Sequence, residues 1–150
     1  MDLQDVNILS VALATLFPAL SAMLFYHPKL FGKIWLKSLD QESSPMNRQN
    51  PVITAVLSLS MSFLLTFWLM NFSNGPGQEG QFDTFQHGMW HGVFVALIIA
   101  VPVLVLNGRF EGRSGKNLLI NVLFWTITFA LMSGFLDAMN HWPNEGTVSF

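Results

Sequence analysis

Apolar residues gather in four long blocks, and each block has about the length that crosses a bilayer. The first covers about 6–26, VNILSVALATLFPALSAMLFY, without a charge. A helix needs about 20 such residues to span a hydrocarbon core of roughly 30 Å. The others cover about 51–72, 86–106 and 118–138. In lipid a spanning segment must satisfy its own backbone N–H and C=O groups, so all four predict helices. Pro18 and Pro102 fall inside blocks. A bilayer helix tolerates such a kink where neighbouring helices or Ser and Thr side chains serve the released carbonyl. Pro51 opens the second block, where a first turn accepts proline. The expected fold is all-α: one four-transmembrane-helix domain over residues 1–150.

Composition agrees. Half the chain is apolar and 11% is charged, against about 25% charged in soluble domains. The net charge of −2 leaves no basic surface able to track a phosphate backbone, so a nucleic-acid partner is not expected. With no cysteine present, disulfides, thiolate metal sites, cysteine nucleophiles and S-lipidation are excluded. Asp2 and Asp5 precede the first block, where a cleavable leader would carry lysine or arginine, so that block reads as a retained helix.

The connections differ sharply in charge. All seven basic residues, Lys29, Lys33, Lys37, Arg48, Arg109, Arg113 and Lys116, fall in the first and third connections. The positive-inside rule then places both connections in the cytoplasm and both termini outside, in a bacterial inner membrane. Trp35 marks the inner boundary, and Trp68, Trp90 and Trp142 the outer one, as an aromatic belt requires. Lys29, Lys33 and Lys37 recur every four residues among Leu30, Phe31, Ile34 and Trp35. That spacing predicts a short helix over 29–38 lying in the membrane interface, its lysines on one face.

Candidate chemistry lies at the opposite ends of the third and fourth blocks. Asp83, His87 and His91 share one helical face, as do Asp137 and His141. Topology puts all five on the same side of the membrane, and adjacent antiparallel helices would bring them together. Imidazoles with carboxylates suit zinc, iron or manganese, and paired histidines suit haem. In the third connection, NGRFEGRSGK resembles a phosphate loop only superficially. Phe110 stands where that motif needs glycine, and Asn117 where it needs Ser or Thr. Arg109, Glu111 and Arg113 read instead as an anchor for a lipid headgroup or a partner. Among mid-block positions there is no Lys, Arg or Glu, which counts against a proton-coupled transporter. No Ser or Thr has a histidine and carboxylate suitably placed for a triad.

Two segments carry a family resemblance. Tyr26-His27-Pro28-Lys29-Leu30-Phe31-Gly32-Lys33-Ile34-Trp35 resembles the aromatic-x-Pro-x-x-Phe-Gly-x-x-Trp signature of domain of unknown function family 1761. Phe110-Glu111-Gly112-Arg113 with Leu119-Ile120-Asn121 resembles that family's turn before its last helix. The resemblance implies a small four-helix bacterial membrane protein, implies no activity, and does not extend to the histidines. The expected role is a non-enzymatic accessory or scaffold subunit of a homo-oligomer or larger membrane complex, held among structural lipids. A small oligomeric transporter or channel is the first alternative, and a metal- or haem-binding membrane protein the second.

Overall fold

The structure, a computed structural model, describes residues 7–39, 50–70 and 84–140. Five helices account for nearly all of them: α1 (Ile8–Phe25), α2 (Gly32–Ser38), α3 (Pro51–Met70), α4 (Phe85–Phe110) and α5 (Gly115–Met139). No strand occurs among the described residues. The four long helices are each apolar enough to cross a membrane. They correspond to the four predicted blocks, with α4 a turn longer than expected at its C-terminal end. Its 26 residues rise about 39 Å, more than a bilayer's apolar thickness, which a tilt accommodates.

Each long helix starts where a short polar side chain satisfies its first amides. Asn7 Oδ1 accepts from the Leu9 and Ser10 amides at 3.1 and 3.2 Å. Asn50 Oδ1 accepts from Val52 N at 2.9 Å. Thr84 Oγ1 accepts from His87 N at 3.2 Å, and Ser114 Oγ from Asn117 N at 3.3 Å. α4 ends in a left-handed glycine, Gly112, at φ 72°. The Gly112 amide donates to the Arg109 carbonyl at 3.1 Å, and the Arg113 amide to the Gly108 carbonyl at 2.8 Å. That is the Schellman pattern of a helix C-terminus, and it explains why the Phe110-Glu111-Gly112-Arg113 turn needs its glycine.

Pro18 leaves α1 continuous. Pro102 acts differently: the preceding turn, Ala96–Ala100, is π-helical, with the Val101 amide donating to the Ala96 carbonyl five residues back. A prolyl ring crowds the preceding turn and lacks an N–H, and the wider turn accommodates both effects.

α5 is the centre of the bundle. It contacts α1, α2, α3 and α4, and buries ten residues, from Asn117 to Asp137. α4 runs along one side of it, while α1 and α3 pair with each other on another. The apolar core, Ala14, Leu69, Met70, Val95, Ala96, Phe129, Met132 and Leu136, lies toward the end where α1 and α4 begin and α3 and α5 finish. α3 joins this core only through its second half. From Pro51 to Met61 it is exposed around its whole circumference, and burial begins at Ser62.

The interfacial helix predicted over 29–38 begins later. Residues 27–31 form a tight turn in which the Leu30 and Gly32 amides donate to the His27 carbonyl, at 2.9 and 3.2 Å. Pro28 has no amide with which to continue α1, and the turn closed on the His27 carbonyl delays the next helix to Gly32. Lys29, Lys33 and Lys37 are nonetheless all exposed, and Trp35 is half-buried.

Candidate functional site

Two polar clusters occupy opposite ends of α5. At the histidine end, α4 and α5 approach until backbone meets backbone. A Cβ added at Gly88 would lie 2.5 Å from Asp137 Cβ and 2.9 Å from the Ser133 carbonyl carbon. One added at Gly92 would lie 2.6 Å from the Phe129 carbonyl carbon, and one at Gly134 would lie 2.8 Å from the Phe85 oxygen. Gly88 and Gly92 thus form a Gly-x-x-x-Gly seam, the small-residue spacing that lets membrane helices touch closely.

The seam sets the chemistry. It brings His87 Nδ1 to 2.7 Å from Asp137 Oδ2, with the Asp137 side chain fully buried and that of His87 23% exposed. The His91 ring packs on the His87 ring at 4.3 Å between centroids. Next to this pair, Asn140 joins the end of α5 to the start of α1. Its Oδ1 accepts from Asn7 N at 2.9 Å, and its Nδ2 donates to Ser10 Oγ at 2.8 Å. A buried carboxylate on one imidazole nitrogen fixes the ring's orientation and gives a direct line for proton exchange, as in the outer sphere of histidine metal sites. Of the five predicted ligands, His87, His91 and Asp137 therefore come together, while Asp83 and His141 lie outside the described residues. Among the described residues no three His, Cys, Asp or Glu groups are placed to hold a metal ion.

At the basic end, α2 folds back onto α5. Gly32 makes the return possible, because any Cβ there would collide with the Tyr26 carbonyl oxygen. The Tyr26 hydroxyl donates to Asn121 Oδ1 at 2.9 Å, Asn121 Nδ2 to Asn117 Oδ1 at 3.0 Å, and Asn117 Nδ2 to Ser38 Oγ at 3.1 Å. Ser38 Oγ donates on to the Trp35 carbonyl at 2.6 Å. Rings pack around this relay: Tyr26 on Trp35 at 5.0 Å, Tyr26 on Phe124 at 5.1 Å and Phe25 on Phe31 at 4.7 Å. Trp35 Nε1 is buried without a hydrogen-bond partner among the described residues. Outside this knot Lys29, Lys33, Lys37, Arg109 and Lys116 are exposed. Arg113 Nε donates to Glu111 Oε2 at 3.0 Å.

Tyr26, Gly32 and Asn121 stand in the sequence only as parts of a family signature, and Phe31 and Trp35 also as residues of the membrane interface; the fold gives each a contact inside the chain. Asn117 and Ser38 of the relay, and the glycine seam, are functional features that the sequence expectations do not include. The signals were present: Gly88-x-x-x-Gly92 in an apolar block, and two asparagines four apart in another.

Four apolar spanning helices with both polar clusters at their ends define a multi-pass membrane protein. Within that class, the model of the family described as protein of unknown function (DUF1761) matches residues 9–137. The chain belongs to that family, as its two signature segments suggested. No curated protein and no solved structure matches it.

Proposed function

We propose that this is a non-enzymatic accessory or scaffold subunit of the bacterial inner membrane, whose bundle is completed by helices of a second copy or of another membrane subunit. The observation carrying this reading is the small-residue stripe of α3, which runs from its buried half into its exposed half. Thr54, Ser58, Ser62 and Thr66 recur every four residues and so share a face. Ser62 and Thr66 are buried in the bundle, with Thr66 Oγ1 3.5 Å from Thr15 Oγ1 of α1. Ser58 continues the same stripe into the half of α3 that is exposed on every side. Small polar residues are where membrane helices approach one another, whereas a lipid-facing half-helix has no need of them. The positive-inside rule orients the assembly with the basic end in the cytoplasm and the histidine end outside.

The absence of cysteine makes the test clean. A Ser58→Cys variant in native membranes, treated with a mild oxidant, is expected to form a disulfide-linked dimer through Ser58→Cys of a second copy. Where the partner is a different subunit, a bifunctional thiol-to-amine reagent gives a heavier adduct. Ile98→Cys, on the exposed face of α4, serves as the lipid-facing control. A monomer in both treatments, with a monomeric mass in mild detergent, would overturn the reading.

A second reading rests on the His87–Asp137 contact. A carboxylate at 2.7 Å from one imidazole, with a second imidazole packed alongside, is the chemistry that supports a transition metal or haem. Metal analysis and an absorbance spectrum of protein purified without chelators test it. Bound metal or a haem band that disappears in the paired His87→Ala and His91→Ala variant supports this reading, and metal-free, colourless wild-type protein rejects it.

A further inference from the structure

We propose that α2 and the turn after α4 form a binding surface for the headgroups of anionic phospholipids in the leaflet at the basic end. The inference rests on the membrane-spanning fold and is independent of the oligomer. Its first support is charge. Lys29, Lys33, Lys37, Arg109, Arg113 and Lys116 all lie at this end, and the carboxylate among the described residues there, Glu111, is engaged by Arg113. Over the whole sequence the two connections at this end carry seven basic residues against Asp40, Glu42 and Glu111, a surplus of four positive charges. The second support is rigidity. A seven-residue helix is too short to persist alone in water, yet α2 is fastened at both ends. Gly32 packs on the Tyr26 carbonyl, and Ser38 Oγ accepts from Asn117 Nδ2 at 3.1 Å. Lys33 and Lys37 are thereby fixed relative to Lys116, the neighbour of Asn117, so the surface is preorganised.

The third support identifies the occupant. Leu30, Ile34 and Leu36 are 49%, 49% and 56% exposed, interleaved with the lysines immediately beyond the end of α1. Exposed apolar residues mixed with lysines at the mouth of spanning helices match the boundary between acyl chains and headgroups. The anions concentrated at that depth are lipid phosphates, each nearby Lys or Arg adding about 1 kcal/mol of attraction. A soluble acidic protein would meet the lysines but leave the apolar side chains in water.

Native mass spectrometry of the full-length, detergent-solubilised chain tests this with phosphatidylglycerol and phosphatidylcholine of identical acyl chains. Phosphatidylglycerol is expected to bind more tightly, and its binding should weaken as salt rises, a readout that needs no variant. The paired Lys33→Gln and Lys37→Gln variant is expected to lose about 25-fold in phosphatidylglycerol affinity, roughly five-fold per lysine, and nothing for phosphatidylcholine. Unchanged helical circular dichroism would show that the variant remains folded. Equal binding of the two lipids, or no salt dependence, would overturn the proposal. Displacement of the lipid by equimolar glycerol phosphate would do the same, by pointing to a soluble anion site.

Discussion

The seam between α4 and α5 and the contact between α1 and α3 solve the same problem by different means. In lipid, helices gain little by burying apolar surface, because the solvent is equally apolar; close packing and polar contacts must supply the attraction. α4 and α5 achieve it with glycine, which brings backbone onto backbone and places a histidine on a buried carboxylate. α1 and α3 use hydroxyls instead, and those hydroxyls are already committed to their own helices. Thr15 Oγ1 donates to the Val11 carbonyl at 2.8 Å and Thr66 Oγ1 to the Ser62 carbonyl at 2.8 Å. Between these two hydroxyls there remains a 3.5 Å contact, beside the apolar packing of Ala14 with Leu69 and Met70 in the core. On the reading proposed above, α4 and α5 hold the fold through backbone contact and α3, exposed along its first half, is the helix offered to a partner.

The difference is broken most severely at Gly92. Gly92→Leu would drive a branched side chain into the Phe129 carbonyl and Ala130 Cα. We expect a loss of about 3 kcal/mol in reversible unfolding in mixed micelles, since neither neighbour is a flexible chain end. An effect below about 1 kcal/mol would show that the helices are not in backbone contact. Next comes Asp137→Ala, which removes the 2.7 Å contact with His87. Because the His87 side chain is 23% exposed, the expected cost is about 2 kcal/mol rather than that of a fully buried pair. The His87 ring resonances should shift as the contact is lost, which separates this effect from simple cavity formation.

A smaller change tests the basic end. Tyr26→Phe leaves Asn121 Oδ1 without its phenolic donor and is expected to cost about 1 kcal/mol. The same variant should increase hydrogen exchange in α2, because the relay from Tyr26 to Ser38 would be cut at its start. Thr66→Val probes the weak contact and should change stability by about 0.6 kcal/mol or less. If Thr66→Val proved as costly as Asp137→Ala, the contrast between the two helix pairs would collapse.

Much of the architecture was legible from particular residues. Four uncharged blocks sufficed for four spanning helices, because a bilayer leaves the backbone almost no alternative. The end of α4 was not legible: the apolar block stops near 106, whereas the helix runs to Phe110 and closes at Gly112, whose left-handed conformation only a residue without a Cβ takes cheaply. The partnership of His87 and Asp137 was half legible: periodicity placed each on a face at the same end of its helix. That they touch depended on Gly88 and Gly92, whose significance appears only when a second helix lies against them. The same holds for Asn117 and Asn121, which stand in the sequence as a mismatch to a phosphate loop and as part of a family signature until Tyr26 and Ser38 fold over them.

By itself, the sequence determined the number of spans, their limits to within a turn or so, and the lopsided distribution of positive charge. These depend on local quantities, hydropathy and backbone satisfaction, which each segment expresses without reference to the others. Only the tertiary structure decided that α5 is the central helix, that Pro102 produces a π-turn instead of a break, and that α3 is packed along only half its length. Those outcomes depend on which small residues meet across helices, and lipid, being as apolar as the helices themselves, writes no periodic pattern into the sequence to reveal it.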